Sequence, residues 1–237
     1  MYDKLFSKGK INGCVLRNRV IMSPMDDCLG QASGEMTARG VEYYAAKAKD
    51  GSLENRCRIV TETIAKIRSK APATFPVTVR VHLFDNEGME GEPGLEDWVA
   101  VCKHLQSHGV DAFHFSVGVE ERTGAPDMPF GWRNEYLKRF KQELNVPVYG
   151  PNETKTPDEA ESLLEDDICD FVVMGRQHSA DPEWCNKAKS GHPEDIRPCI
   201  SCNWCVYRVT ADQAQVRCAV NPLLGREVDN MLPMKKG

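Results

Sequence analysis

The fold is decided by residues 146–174, VPVYGPNETKTPDEAESLLEDDICDFVVM, which contain two short apolar runs on either side of one amphipathic segment. The runs Val146–Tyr149 and Phe171–Met174 have the length and continuous apolar character of strands buried on both faces of a parallel sheet. Between them, residues 156–159 (TPDE) form a capping box with proline at the first helical position, which predicts a helix over Pro157–Glu165. The stretch therefore predicts a strand–helix–strand unit, because two parallel strands require a crossover connection.

The same unit repeats towards the N-terminus. Apolar runs at Arg19–Ser23, Val77–His82 and Ala112–Ser116 predict three further strands. The four strand starts from residue 77 onward are 35, 34 and 25 residues apart, and helical patterns at Leu95–Leu105 and Tyr136–Leu144 fill the first two intervals. A doubly wound sheet and a (βα) barrel both fit this order. The absence of a Gly-x-Gly-x-x-Gly motif disfavours a dinucleotide-binding fold.

One junction breaks the βα rhythm. Residues 37–49 predict a helix and Leu53–Arg68 predict another, with only three residues, 50–52, between them. In an alternating βα architecture a strand separates consecutive helices. The chain therefore either forms a tight helical hairpin at residues 50–52 or lacks βα units there.

The composition is that of a globular, mildly acidic protein. The chain has 237 residues and a formal net charge of −5, which suits one large domain or one domain with an appendage. The negative charge argues against a nucleic-acid-binding protein, which typically carries a basic surface. No apolar run approaches the roughly 20 residues of a membrane span, and residues 1–14 lack the apolar stretch of a signal peptide. We therefore expect a cytoplasmic protein that binds neither nucleic acid nor membranes.

The ten cysteines fall into two groups. Six occur singly and are expected to be small buried hydrophobic residues: Cys14, Cys28, Cys57, Cys102, Cys169 and Cys185. Four form the pattern C-x2-C-x2-C-x12-C: Cys199, Cys202, Cys205 and Cys218. Three closely spaced thiolates with one remote partner suit an iron–sulfur cluster, in which each thiolate binds a different iron. The alternatives are structural zinc, which usually takes two separated C-x2-C pairs, and a cysteine group without metal.

Several other motifs are similar to those of one enzyme family. They are 16–25 (LRNRVIMSPM), 42–45 (EYYA), 52–58 (SLENRCR), 174–176 (MGR) and 218–227 (CAVNPLLGRE). Together with the cysteines, they resemble the Old Yellow Enzyme family of FMN oxidoreductases. The resemblance is closest to its iron–sulfur branch, which includes 2,4-dienoyl-CoA reductase, trimethylamine dehydrogenase and bile-acid oxidoreductases. It extends over nearly the whole chain and implies a (βα)8 barrel with FMN at the carboxyl ends of the strands.

The resemblance also implies which residues hold the cofactors. Those implied to contact FMN are Ser23, Pro24, Met25, Arg80, Asn152, Gly175 and Arg176. The first three would line the isoalloxazine ring, and Arg80 would stabilise the negative charge of the reduced ring. Gly175 and Arg176 would bind the phosphate. Asn152 stands where the family usually has glycine, and asparagine tolerates the left-handed conformation. The four clustered cysteines would hold a 4Fe-4S centre that relays electrons.

The sequence departs from the family in two respects. Family members have roughly three further barrel strands before the SLENRCR motif, and those strands carry the substrate clamp and the proton donor. This sequence has no counterpart to them, so no catalytic residue is assigned. The sequence also ends at Gly237, before the FAD and NAD(P)H domains of this branch. We therefore expect a redox partner to supply their function.

The sequence thus predicts an α/β protein in two parts. Residues 1–190 form an incomplete TIM-type (β/α) barrel of about five parallel strands, and residues 191–237 form a cluster-binding segment and tail. The five strands close, stay open or are completed by a second copy, which would make a homo-oligomer. The predicted function is an FMN-dependent oxidoreductase with a 4Fe-4S relay, which transfers hydride to or from an unsaturated carbonyl or amine-type substrate. The alternative is a non-enzymatic remnant or partner subunit that binds an iron–sulfur cluster or zinc.

Overall fold

The structure is a computed structural model that describes residues 2–22, 52–83, 93–116 and 129–226. Its first regular element is an antiparallel hairpin of β1 (Gly9–Ile11) and β2 (Cys14–Leu16). The hairpin packs closely against the main sheet, because a β-carbon on Gly9 would come within 2.3 Å of a ring carbon of Phe171. Only glycine allows this approach, so the hairpin is seated by a residue without a side chain.

The main sheet of the described residues contains five parallel strands. They are β3 (Val20–Met22), β4 (Thr78–His82), β5 (Ala112–Ser116), β6 (Val148–Pro151) and β7 (Phe171–Met174). Their order is β3-β7-β6-β5-β4, so the first strand pairs with the last. First-to-last pairing is the closure of a (βα) barrel, which has eight strands when complete. The predicted incomplete barrel of five parallel strands is therefore confirmed, and within the described residues its edges are β3 and β4.

Strand β6 differs from its predicted position. The apolar run predicts Val146–Tyr149, whereas the strand begins at Val148 and ends at Pro151. Pro147 has no N–H to donate to a ladder, although its carbonyl accepts a hydrogen bond from the Phe113 N–H at 2.9 Å. The strand therefore starts after the proline and extends further towards the carboxyl end of the sheet.

Four helices pack with these strands: the first precedes β4, and the other three connect β4 to β5, β5 to β6 and β6 to β7. They are α1 (Leu53–Arg68), α2 (Leu95–Ser107), α3 (Asn134–Glu143) and α4 (Pro157–Glu165). Helix α4 has its predicted bounds, because the Thr156 hydroxyl accepts from the Glu159 N–H at 3.2 Å and the Glu159 carboxylate accepts from the Thr156 N–H at 2.9 Å. The helix expected over residues 37–49 and most of the 50–52 junction lie outside the described residues.

The core has one layer on each face of the sheet. Between helices and sheet lie Phe113, Phe115, Leu137, Phe140 and Val172, all fully buried. On the other face, Ile11 of the hairpin packs with Ala112, Tyr149, Phe171 and Val173. Because both faces are covered, every residue of β5 and β7 is buried. The side chains at the carboxyl ends of the strands are thereby held on a rigid base.

The chain continues from β7 into a segment of short helices. These are α5 (Arg176–Ala180), α6 (Trp184–Ser190), a 3-10 turn (Pro193–Asp195) and α7 (Trp204–Thr210). Cys205, Val209 and Val216 form a small core of their own. Side-chain hydrogen bonds join α5 to the cysteine-containing residues that follow: the Cys199 N–H donates to Gln177 Oε1 at 2.9 Å, and Asn221 Nδ2 donates to the Ser179 carbonyl at 2.8 Å. The domain boundary after residue 190 stays a prediction.

The singly placed cysteines mostly behave as expected. Cys57, Cys102 and Cys169 are buried, Cys14 and Cys185 are half-buried, and Cys28 lies outside the described residues.

Each helix that the structure describes is too short or too polar to cross a lipid bilayer.

Candidate functional site

A cavity of about 200 Å³ opens at the carboxyl ends of β4 to β7. In parallel βα folds this edge carries the functional side chains, because the loops after the strands converge there. The cavity is lined by Arg80, Ser116, Arg133, Pro151, Glu153, Thr154, Lys155, Val173, Met174, Gly175, Arg176, Gln177, Cys199 and Val206. The fold therefore brings together Arg80, Gly175 and Arg176, which lie far apart in the sequence.

The lining of this cavity is strongly cationic. Four of the described lining residues are basic, Arg80, Arg133, Lys155 and Arg176, and one, Glu153, is acidic. Guanidinium groups bind phosphate with paired, charge-assisted hydrogen bonds. The cavity is therefore suited to an anionic ligand such as a phosphate ester.

Arg176 links the cavity to the cysteine segment. Its guanidinium forms an ion pair with Glu153 and donates from Nη1 to Asn203 Oδ1 at 2.5 Å. The side chains of Arg176 and Glu153 are only 13% and 12% exposed. Asn203 lies between two of the clustered cysteines in the sequence. A single side chain thus contacts both parts of the site.

Arg133 is a cavity residue that the sequence analysis missed. It is 3% exposed, stacks on the Trp132 ring at 4.0 Å and donates from Nη1 to the Pro151 carbonyl at 2.9 Å. Burial lowers the pKa of its guanidinium to about 10; the neighbouring Glu153 opposes that change, and Arg176 and Arg80 add to it. Arg133 stays charged near neutral pH. No sequence pattern marks it, since the fold alone brings the start of α3 to the cavity.

Asn152 is placed differently from the expectation. The left-handed residue of this turn is Glu153, with φ 57°, and Asn152 does not have a positive φ. The Asn152 side chain is fully buried, accepting from the Arg133 N–H at 3.0 Å and donating to Asn134 Oδ1 at 2.5 Å. The expectation that Asn152 supplies the left-handed conformation was wrong, because its amide anchors the loop before α3 instead. A contact from its backbone to FMN stays a prediction.

Arg80 lies on the other side of the cavity. Its Nη2 donates to Ser116 Oγ at 3.3 Å, and the same hydroxyl lies 3.4 Å from His82 Nδ1. The neighbouring His114 is buried, and burial together with the positive charge of Arg80 lowers its pKa to about 4, so it is neutral at pH 7. Ser23, Pro24 and Met25 lie outside the described residues, and their contacts stay predictions.

The four clustered cysteines border one small cavity next to Arg176. Cys205 is buried near the start of α7, Cys199 and Cys218 are partly exposed, and Cys202 is exposed. Burial raises the pKa of the Cys205 thiol, and the nearby Cys199 and Cys218 thiols raise it further, whereas Arg176 lowers it. The fold therefore brings the remote fourth cysteine to the other three.

The thiol donors of this cysteine group are ligands for two kinds of metal site. A single zinc ion needs its sulfur ligands within about 2.3 Å of one point. In the part of the chain that the structure describes, no three His, Cys, Asp or Glu side chains converge closely enough to hold one metal ion. An iron–sulfur cluster takes one thiolate at each iron, which suits four thiols around a shared space. The cavity that the four cysteines border is about 10 Å³, which is room for about one water and is smaller than a cluster.

A model of the NADH:flavin oxidoreductase / NADH oxidase family matches residues 48–195. The chain belongs to this family. The match confirms the resemblance to Old Yellow Enzyme-like flavoproteins, because the matched residues include β4 to β7 and the MGR motif. The NADH:flavin oxidoreductase family thus accounts for the parallel sheet and for the site at its carboxyl edge.

Relatives within the family are longer than this chain. An NADH oxidase from Thermoanaerobacter brockii is 34% identical over 84% of this chain and 30% of its own length. The structure of a 2-naphthoyl-CoA reductase matches with a TM-score of 0.68 and 30% identity over 75% of this chain and 27% of its own. Histamine dehydrogenase from Rhizobium sp. 4-9 matches with a TM-score of 0.66 and 27% identity over 74% of this chain and 25% of its own. The chain therefore spans less than a third of these three relatives.

Proposed function

We propose that this chain carries the FMN site and the electron relay of a flavin-dependent oxidoreductase. The observation that supports this function is the cationic cavity at the carboxyl edge of β4 to β7, joined through Arg176 to a group of four cysteines. FMN, when bound, takes up hydride from a substrate or returns it. The substrate class that we propose is an unsaturated carbonyl or an amine.

The residues of the cavity suit the two ends of FMN differently. Arg176, with Gly175 beside it, would hold the phosphate, and the buried Arg133 would add positive charge behind it. Arg80 would face the flavin ring and stabilise its negative charge when the ring is reduced. The cavity of about 200 Å³ is smaller than typical ligand pockets, which measure roughly 300–1,000 Å³. It suits the phosphate end, and the ring would also need Ser23, Pro24 and Met25.

We further propose that Cys199, Cys202, Cys205 and Cys218 hold a 4Fe-4S cluster. The spacing of three close cysteines and one remote partner favours a cluster over structural zinc, which usually takes two separated C-x2-C pairs. A cluster passes single electrons, so we propose a redox partner that receives them and performs the FAD and NAD(P)H function. We also propose that a second copy of the chain completes the barrel in a homo-oligomer. The cytoplasmic location stays a proposal.

Anaerobic purification followed by cofactor analysis tests this function. We expect released FMN fluorescence and about four irons with matching acid-labile sulfide per chain. Cys202→Ala should abolish the broad iron–sulfur absorption, whereas Cys14→Ala, which changes a half-buried cysteine in the hairpin, should leave it unchanged. Zinc without sulfide would refute the cluster, and a preparation that neither contains nor takes up FMN would refute the flavin site.

A further inference from the structure

A carboxylate lies inside the cationic cavity. Glu153 lines the cavity together with Arg80, Arg133, Lys155 and Arg176, and it is the one acidic side chain among the described residues that do so. Its carboxylate forms an ion pair with Arg176, the residue placed to hold a phosphate. Both side chains are nearly buried, so bulk water does not weaken their attraction much.

The backbone holds Glu153 in that position. Its φ of 57° lies in the left-handed region, which is unfavourable for a residue with a side chain. The residues on either side are buried: Asn152 is anchored to the loop before α3, and Thr154 is 4% exposed. The strained turn therefore projects the carboxylate into the cavity instead of into solvent.

A second observation indicates that this corner of the cavity binds a ligand. Thr154 lines the cavity, and its hydroxyl is buried with no hydrogen-bond partner among the described residues. Buried polar atoms are nearly always hydrogen-bonded, so an unsatisfied hydroxyl on a residue of this cationic cavity suits an anion that accepts its proton.

We propose that Glu153 is a built-in competitor for the anion site at Arg176. A phosphate that binds Arg176 must displace the Glu153 carboxylate and then lie beside its negative charge. Both steps disfavour binding, since like charges brought together in a partly buried site repel strongly. Glu153 therefore lowers the affinity for phosphate-bearing ligands and leaves the affinity for the same ligand without phosphate unaffected. For FMN this inference rests on the proposed function, whereas for inorganic phosphate it does not.

The test compares the full chain with Glu153→Gln, which removes the charge and keeps the size and hydrogen-bonding ability of the side chain. Glu165→Gln is the matched control, because it removes one exposed negative charge at the end of α4, away from the cavity. Glu153→Asn is a second variant in case Gln does not fold, since Asn tolerates the left-handed conformation. Thermal melting and circular dichroism check folding, and the ligands are inorganic phosphate, FMN and riboflavin.

We expect Glu153→Gln to lower the Kd for inorganic phosphate and for FMN by about tenfold or more, with riboflavin unchanged. The control should bind all three ligands as the parent does. An unchanged or higher Kd for phosphate in both folded variants, or no phosphate binding by any protein, would overturn the inference. Equal tightening of FMN and riboflavin would do so too. If phosphate binding tightens but FMN and riboflavin do not bind at all, the competition stands and the flavin function fails.

Discussion

Removal of Arg176 should destabilise the protein, because Arg176 forms a nearly buried ion pair with Glu153. In Arg176→Ala the Glu153 carboxylate loses its ion-pair partner while it stays 12% exposed, and Asn203 loses a hydrogen bond. Removing one partner of a buried pair costs about 3–5 kcal/mol when the other charge is left without compensation, and the neighbouring Arg133 places this site at the lower end of that range. We therefore expect the free energy of unfolding to fall by about 3 kcal/mol.

A double-mutant cycle isolates the pair from other effects of the substitution. Adding Glu153→Gln to Arg176→Ala removes the uncompensated charge and should restore about 1–2 kcal/mol. Urea unfolding of the four proteins measures this coupling. Arg208→Ala is the control, because its pair with Asp212 is more exposed, at 29% and 31%, and should change stability by less than about 1 kcal/mol.

The refuting result is additivity. If the double variant loses the full sum of the two single losses, Arg176 and Glu153 do not interact in solution, and the geometry of the site is wrong. FMN binding gives a second readout: Arg176→Ala should weaken it by about 2–5 kcal/mol, or roughly thirtyfold and more. Unchanged FMN affinity would refute the assignment of Arg176 to the phosphate.

Three smaller predictions test the scaffold. Gly9→Ala should lower stability by about 1–3 kcal/mol in thermal or urea unfolding, because the new methyl group meets Phe171 at 2.3 Å, whereas Gly94→Ala, with its nearest neighbour at 3.8 Å, should be tolerated. Thr156→Ala should lower it by about 1 kcal/mol through loss of the α4 cap, and no change would mean that the capping box is not formed. Burial opposes ionisation of Asp181, but its ion pair with Lys187 and the N–H groups of Arg197 and Glu183 prevail and lower its pKa. Because that pKa lies below the unfolded value, Asp181→Asn should lower the free energy of unfolding at about pH 7, and this loss of stability should shrink as the pH falls below about 4. A loss of stability that is independent of pH would contradict this.

The local elements were predictable because their signals lie within a few neighbouring residues. The α4 capping box and the helical spacing of α1 gave correct bounds for both helices. The apolar runs located four of the five strands to within a residue of each end. The β6 run is displaced by two residues at both ends, and its later start follows from Pro147, which cannot donate to the ladder. The short spacing of three cysteines likewise marked them as one group.

The cavity could be predicted only in part. The family resemblance placed Arg80, Gly175 and Arg176 at one edge of the sheet, and the fold confirms that they share a cavity. It did not indicate Arg133, whose burial and stacking depend on the path of the loop before α3. It also assigned the left-handed turn residue to Asn152 instead of Glu153, since propensity ranks asparagine above glutamate there.

By itself, the sequence determined the βα order, the family and the four-cysteine group, because these depend on patterns along the chain. Only the tertiary structure decided that Glu153, Arg176 and Asn203 meet. Glu153 follows β6, Arg176 follows β7, and Asn203 lies between two of the clustered cysteines. No sequence period relates these three positions. Their contact arises because parallel strands place their carboxyl ends side by side, and charged groups at that edge then lie close enough to pair.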